Sequence, residues 1–469
     1  MYLLGQRINR SKSVKVINPY NNEVVEEVGL SEESDVAQAI DIAKLGFNIL
    51  KDMPAGERAA ILEQTAKIIE TKKEEFSRTV CLEVGKTINE ARAEVNRAIN
   101  TMRLSALAAV NLKGETIRFD LTEPSKKLGF YTRVPLGIIL AITPFNFPLN
   151  LSCHKIGPAI AAGNSVIHKP ATKTPLSGIM LAAALIEAGL PKQGISVITG
   201  SGSKIGMALV KSSEIKKISF TGSLEVGEII MAHCGMKRVT MELGSNSAVV
   251  IFKDAPINYV AQKIRKGGYT LAGQVCISIQ RVYVEEKIAD EFLRALSMEV
   301  NQIKYGDPLR EETEMGPMID EAAIKKAESF CNDALKHKGL LILGGKRDGT
   351  IFKPTIIFNV PEPALVIQEE AFAPIVAVNT FRTPSEAIEK VNNTKYGLQV
   401  GVFTRDISKA LECVRGIDAG GILINEIPTY RVDNMPYGGT KGSGLGREGP
   451  DFAIKEMTEE KLIIFDQLS

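Results

Sequence analysis

A cysteine, a glutamate and an asparagine in the chain have types and settings suited to carbonyl chemistry. Cys276 ends the string Ala272-Gly273-Gln274-Val275-Cys276. Gly273 and Gln274 place it on a turn, just before the alternating run CISIQRVYV, and a turn can present a thiolate to a cleft. The alternative for any cysteine is a small buried hydrophobe, which is the reading for Cys81, Cys153, Cys234, Cys331 and Cys413. Glu242, in Met241-Glu242-Leu243-Gly244, is an acid at the end of an apolar strand. An acid there has a partner or a task, so it is either half of an ion pair or a general base. Asn146 is held between prolines in Pro144-Phe145-Asn146-Phe147-Pro148. Its amide either makes a turn or donates to an oxyanion.

Two glycine turns could bind phosphate. Gly200-Ser201-Gly202-Ser203-Lys204-Ile205-Gly206 follows a strand and opens a helix, with spacing one residue off the dinucleotide fingerprint. Alone it reads equally well as a simple turn. Phe220-Thr221-Gly222-Ser223 is a second strand-to-helix turn with glycine, and two such turns in one parallel sheet favour a nucleotide.

The elements that must position these residues follow from hydrophobic spacing. Residues 34–112 carry apolar residues at helical intervals, with Pro54 and Gly56 breaking the first two segments. Residues 113–135 read as two strands joined by a polar turn around Glu123–Lys127. From Leu136 short β-rich runs alternate with helices, through LGIILAIT, NSVIHKP, ISVITG and KKISFTG, and a second block from SAVVIF repeats the style. Such alternation predicts α/β architecture with parallel sheets covered by helices on both faces. The tail EKLIIFDQ reads as a strand able to join the 113–135 extension.

Composition excludes several classes. The 469 residues include 57 Lys+Arg and 55 Asp+Glu, a net charge of +2, which argues against a nucleic-acid partner. The longest apolar run, Leu136–Ile142, is far too short for a membrane span, and MYLLGQRINR lacks the apolar stretch of a signal peptide. Six widely spaced cysteines with no CxxC pair indicate neither a disulfide framework nor a zinc site, and suggest a reduced cytoplasm.

Taken together and in order, these strings resemble the aldehyde dehydrogenase superfamily from about Ile17 to Gly449. Lys169-Pro170, Glu370-Ala371-Phe372-Ala373-Pro374 and Gly444-Leu445-Gly446-Arg447-Glu448 complete the set. The resemblance implies two Rossmann-like domains plus a small β extension for oligomerisation. The cofactor domain would be 1–112 with 136–243, the catalytic domain 244–440, and the extension 113–135 with 441–469. Subunits would pair as a homodimer or homotetramer. The resemblance further implies that Cys276 attacks an aldehyde to give a thiohemiacetal, with its oxyanion held by the Asn146 amide and the Cys276 N–H. Oxidation by NAD or NADP would leave a thioester, which Glu242 would help water to hydrolyse. Lys169 would contact a cofactor ribose, Glu370 the nicotinamide ribose, and Phe372 would pack near the nicotinamide. Ser223, with Phe220, Thr221 and Gly222, would meet the pyrophosphate; Gly202 and Gly244 also belong to the expected cofactor site. Glu448 resembles a second acid of the family that relays protons.

Some positions depart from the family pattern. Ser245-Asn246 replaces a common glycine–lysine pair, and Ala373 replaces a glycine. Many NAD-preferring relatives carry glutamate where Thr172 stands; its absence, with Lys173 adjacent, implies that NADP is accepted. The stretch Asn425–Gly439 resembles a subgroup that oxidises small polar or anionic aldehydes such as lactaldehyde, sulfolactaldehyde and phosphonoacetaldehyde. Arg431, Arg103 and His154 are the expected substrate contacts. Val275 stands where relatives that grip phosphonate carry arginine, which favours a monoanionic or hydroxylated aldehyde. The alternatives are a non-phosphorylating glyceraldehyde-3-phosphate dehydrogenase, a CoA-acylating enzyme and a cofactor-binding protein without activity. Glu242 argues against the second, and retention of Cys276, Glu242 and Asn146 against the third.

Overall fold

The computed structural model describes residues 1–466 apart from Pro124. Pro124 of the expected turn, Gln467 of the tail segment, and the last two residues lie outside the described residues. Four helices precede the β extension: Glu33–Leu50, Ala55–Thr71, Lys73–Val84 and Ile88–Asn111. Pro54 does separate the first two, but Gly56 sits inside the first turn of the second, where backbone N–H groups have no intrahelical partner to lose. The fourth helix buries a stripe that includes Ala91, Val95, Ala98 and Met102. Its start is a reciprocal cap: Thr87 Oγ1 accepts the Glu90 N–H at 3.3 Å and the Glu90 carboxylate accepts the Thr87 N–H at 2.9 Å.

The first large sheet has eight strands, whose central five are parallel. Those five run in the spatial order Ile195–Val197, Ser165–Lys169, Ile138–Ile142, Ile215–Thr221, Arg238–Glu242. Chain order therefore reverses between Ile138–Ile142 and Ile215–Thr221. The loops leaving the carboxyl ends of those two neighbours are Pro144-Phe145-Asn146 and Gly222-Ser223, so both open at the crevice where doubly wound sheets bind ligands. The second sheet has seven strands, parallel except for the edge strand Leu340–Leu343. The α/β reading is correct for both sheets.

The chain crosses from the first sheet to the second through Leu243–Asn246 and returns near its end. Gly444–Leu445 pairs antiparallel with Met241 and Glu242 at the edge of the first sheet. Ser443 ties the crossings together: its carbonyl accepts the Leu243 N–H at 2.9 Å, while its Oγ donates to Gly244 O at 2.8 Å and accepts the Gly397 N–H at 2.9 Å. The extension is a third sheet, in which Thr458–Asp466 pairs along its whole length with Lys127–Pro135, and Glu115–Ile117 adds the outer strand. Among the described residues, no helix is long and apolar enough to cross a membrane.

Candidate active site

A cavity of about 740 Å³ opens where the loops of the two sheets face each other. Cys276 is on its wall and half-buried, whereas the other five cysteines are buried, as the sequence suggested. The backbone leading to it is strained. Leu271 (φ 49°), Ala272 (φ 51°) and Gly273 (φ 70°) are all left-handed, which costs energy at the first two. Gly273 has no substitute, because a Cβ there would lie 2.1 Å from the Ala373 carbonyl oxygen. Side chains hold this run in place. Glu90 accepts the Leu271 N–H at 2.8 Å, and Gln274 donates to Leu271 O at 3.0 Å while accepting the Ile319 N–H at 2.9 Å. The thiol Sγ lies 3.1 Å from the Tyr437 hydroxyl. Burial pushes the Cys276 thiol up to about 11 against the pull of Tyr437 and Arg431.

Asn146 lines the same cavity and donates one amide hydrogen to Gln274 O at 2.9 Å. An amide nitrogen carries two donors, so a second remains for an oxyanion. Its loop is fixed by Glu94, which accepts the Leu149 and Asn150 N–H groups at 2.9 and 3.0 Å at the start of the helix Asn150–Ala161. A carboxylate suits that helix end. Lys86 neutralises Glu94 at 2.5 Å, and both are buried.

Glu242 ends its strand as expected, yet it is not on the cavity wall. Its carboxylate is buried, neither oxygen has a hydrogen-bond partner, and Oε1 lies beside Gly438. Burial, then the negative charge of Glu448, hold its carboxyl well above the usual range. Glu448 has the opposite fate: burial opposes its charge, but Lys155 at 2.7 Å and Arg431 at 2.9 Å hold it well below that range.

Several expected cofactor residues gather on one side. Thr221, Gly222, Ser223, Gly244, Glu370 and Phe372 all line the cavity. Thr221 Oγ1 is buried without a partner, and Ser223 caps the helix Leu224–His233 by accepting the Val226 N–H. A Cβ on Gly244 would lie 2.8 Å from Glu370 Oε2, so the glycine makes room for that carboxylate. Burial raises Glu370 to about 7, although it accepts the Ser245 N–H at 2.8 Å. Phe372 meets Phe145 edge-on, with centroids 5.9 Å apart.

The remaining expected positions lie elsewhere. Phe220 is buried in the core beneath the turn. Lys169 is buried, which lowers its ammonium to about 8, and its stem packs where a Cβ on Gly206 would project. Gly202 opens a short π turn, Gly202–Gly206, and faces open space. Thr172 donates to Gly200 O at 3.0 Å. Lys173 is ion-paired with Asp320 and lines a separate cavity. Its charge is thus matched by a carboxylate.

Two of the three expected substrate contacts are off the cavity wall. Arg103 is on the protein surface, bound to Glu70 at 2.7 Å and near Glu63. His154 is fully buried and meets Asp433 at 3.0 Å. Arg431 does line the cavity, with its guanidinium 3.6 Å from the Tyr437 ring centroid. The arginine that the sequence reading missed is Arg97, which lines the cavity and is aimed by Asp433 Oδ1 through Nη2 at 2.7 Å and Nε at 3.2 Å. Asp433 also receives Asn150 at 3.3 Å, so this hub links His154 to the cavity-lining Arg97. A signal was present: Glu90, Glu94 and Arg97 recur at i, i+4 and i+7, putting three charges on one stripe of a helix otherwise packed with apolar residues. Among the described residues there is no group of ligands able to hold a metal ion.

Comparison with known proteins places the whole chain in a family. The model of the aldehyde dehydrogenase family matches residues 7–463. A 3-sulfolactaldehyde dehydrogenase from Priestia aryabhattai is 40% identical over 468 residues, covering 99% of this chain and 98% of the relative. A lactaldehyde dehydrogenase from Methanococcus aeolicus is 41% identical, covering 99% of each. Among solved structures, the glyceraldehyde-3-phosphate dehydrogenase GapN of Methanocaldococcus jannaschii, in complex with NADP, superposes with a TM-score of 0.95. It is 39% identical, covering 98% of this chain and 100% of that one.

Proposed function

On the premise that the chain belongs to the aldehyde dehydrogenase family and is an NAD(P)-dependent oxidoreductase, we propose that it oxidises small polar or anionic aldehydes of the lactaldehyde or sulfolactaldehyde type to carboxylates. The observation that carries this reading is the placement of half-buried Cys276 on one cavity wall with Asn146 and Arg97. A thiol, an amide donor and a guanidinium in one cavity match a nucleophile, an oxyanion donor and an anion anchor.

In this mechanism the Cys276 thiol loses its proton to solvent, and Sγ bonds to the aldehyde carbon as the carbonyl π bond opens toward oxygen. The second amide hydrogen of Asn146 and the Cys276 N–H take the charge that develops on oxygen. Bound NAD(P) would supply the oxidant, an acceptor for the hydride leaving that carbon. The cradle fits such a group: buried Thr221 Oγ1 lacks a partner, and the ten-residue helix Leu224–His233 presents its start, capped by Ser223, to the cavity. Glu370 and Lys169 would hold ribose hydroxyls, and Phe372 would cover the reactive ring. Glu242 then takes a proton from the water that cleaves the thioester. Its raised affinity for protons suits a base, and its side chain must turn from Gly438 toward Cys276 to act. The expected proton relay at Glu448 does not fit its setting: Lys155 and Arg431 hold it ionised, and its charge instead raises the proton affinity of Glu242.

The domain of 1–112 and 136–243, which carries every strand of the first sheet except Gly444–Leu445, would serve the cofactor, and 244–440 the chemistry. The extension sheet leaves Leu462 and Ile464 exposed on one face and Leu128 and Phe465 on the other, apolar surface suited to pairing of subunits as a homodimer or homotetramer. We assign the enzyme to the cytoplasm, on the strength of six free cysteines. The second reading, glyceraldehyde 3-phosphate, is favoured by the GapN neighbour. Titration of NAD and NADP reduction with lactaldehyde, sulfolactaldehyde, phosphonoacetaldehyde and glyceraldehyde 3-phosphate decides between them. Preference for the phosphorylated aldehyde by ~10-fold, about 1.4 kcal/mol, replaces the first reading with the second.

A further inference from the structure

We infer that Tyr437 is a catalytic residue, whose hydroxyl donates a hydrogen bond to Cys276 Sγ and so stabilises the thiolate and aims it. The inference rests on Cys276 being the nucleophile. The Sγ–Oη distance of 3.1 Å lies well within hydrogen-bond reach for sulfur, and the two residues are 161 positions apart in the chain. Nothing about local sequence forces this contact.

The surroundings fix the hydroxyl. Tyr437 is buried, and its backbone exchanges two hydrogen bonds with Glu448, at 3.1 and 2.7 Å. The Arg431 guanidinium lies 3.6 Å from its ring centroid and is in turn held by Glu448 at 2.9 Å. The ring is thus clamped between a backbone bridge and a cation, which leaves its tip against the sulfur. A guanidinium over the ring also makes the phenol a better donor. Burial, then the charge on Cys276, keep the phenol proton in place far above the usual tyrosine range. Tyr437 therefore acts as a donor throughout and never as a base.

The thiol needs such help. Among the charged groups around it, Arg431 favours the thiolate, while Glu370 and Glu242 oppose it together with burial. A hydrogen bond to a charged acceptor is worth about one pH unit or more in the midpoint of ionisation. With a Brønsted coefficient near 0.5, a thiolate one unit more basic is ~3-fold more nucleophilic but ~10-fold scarcer, so the donor gives a net gain of about threefold below the midpoint.

Tyr437→Phe removes one oxygen and keeps the ring under Arg431. The test is the rate at which iodoacetamide alkylates Cys276, followed by mass spectrometry of its peptide from about pH 6 to about pH 11, with NAD(P) binding as the check on folding. The expected result is alkylation about threefold slower along the rising limb, a displacement of about half a pH unit, with unchanged cofactor affinity. Superimposable profiles, or a downward shift, overturn the inference even if turnover falls, because a role in packing alone would leave the ionisation unchanged. Failure of the underlying reading looks different: Cys276→Ala would then still oxidise aldehydes.

Discussion

The carboxylate of Glu90 accepts the backbone N–H of Leu271 at 2.8 Å, joining a cavity-lining helix to the left-handed run that delivers the nucleophile. The two residues are 181 positions apart. A glutamate that also caps its own helix thereby holds a strained loop from another part of the fold. Glu90→Ala leaves a buried N–H unpaired and is expected to destabilise the protein by about 1–3 kcal/mol. Denaturant unfolding measures this. Turnover is expected to fall as well, with cofactor affinity kept, whereas Glu90→Gln, which retains an acceptor, recovers most of both.

Cys276→Ala is expected to abolish aldehyde oxidation while NAD(P) still binds. Fluorescence titration with reduced cofactor and a turnover assay report the two properties separately. Surviving dehydrogenase activity would assign the nucleophile elsewhere.

Glu242→Gln is expected to give a burst of reduced cofactor followed by slow turnover, because the thioester forms but water is not activated. The pH dependence has the same origin. Burial raises the proton affinity of Glu242 well above that of an ordinary carboxyl, so the base is protonated at low pH and becomes competent as pH rises. Steady turnover of the wild type should therefore climb with pH through this raised midpoint, with burst kinetics appearing in stopped-flow traces on its acid side.

Arg97→Ala and Arg103→Ala form a matched pair. Arg97 lines the cavity and Arg103 pairs with surface carboxylates. The first is expected to raise KM for a sulfonated or carboxylated aldehyde ~10-fold or more, about 1.4 kcal/mol, with a much smaller effect on lactaldehyde. The second is expected to change neither. Steady-state kinetics on both aldehydes tests the pair, and equal effects of the two substitutions would remove the anion-anchor role.

Thr172→Glu is expected to shift the preference from NADP toward NAD by ~10-fold or more in kcat/KM, since a carboxylate there repels a 2′-phosphate by about 1.4 kcal/mol. Lys173→Ala should matter less, because Asp320 already matches that charge. A wild-type preference for NAD above ~100-fold, about 2.7 kcal/mol, would contradict the acceptance of NADP.

The sheets were legible because parallel strands buried on both faces leave apolar runs, and Ile375–Phe381 and Ile138–Ile142 fall on such runs. The turns at Thr221–Ser223 and Gly273–Cys276 were legible for a similar reason, since glycine marks places where the backbone must pass close to something. Side-chain direction was not. Arg103 is six residues from Arg97, and six steps of about 100° turn a helix by about 240°, enough to carry a guanidinium from the cavity to solvent. His154 follows Asn146 closely in the chain, but the helix beginning at Asn150 turns it into the protein, toward Asp433. Tyr437 could not be paired with Cys276 beforehand, because six of the seven strands of the second sheet lie between them in the chain.

Ser443 binds both crossings between the two large sheets through three hydrogen bonds. Two α/β units linked by one flexible strap melt separately and can swing apart like a clamshell. Here the strap runs out and back, and a single hydroxyl fastens the two passes, so neither sheet can rotate without breaking the edge pairing at Glu242. Thermal unfolding should then be one cooperative event. Entry and exit of the cofactor must use loop and side-chain movement, and the distance from base to nucleophile stays set by a rivet rather than by a hinge.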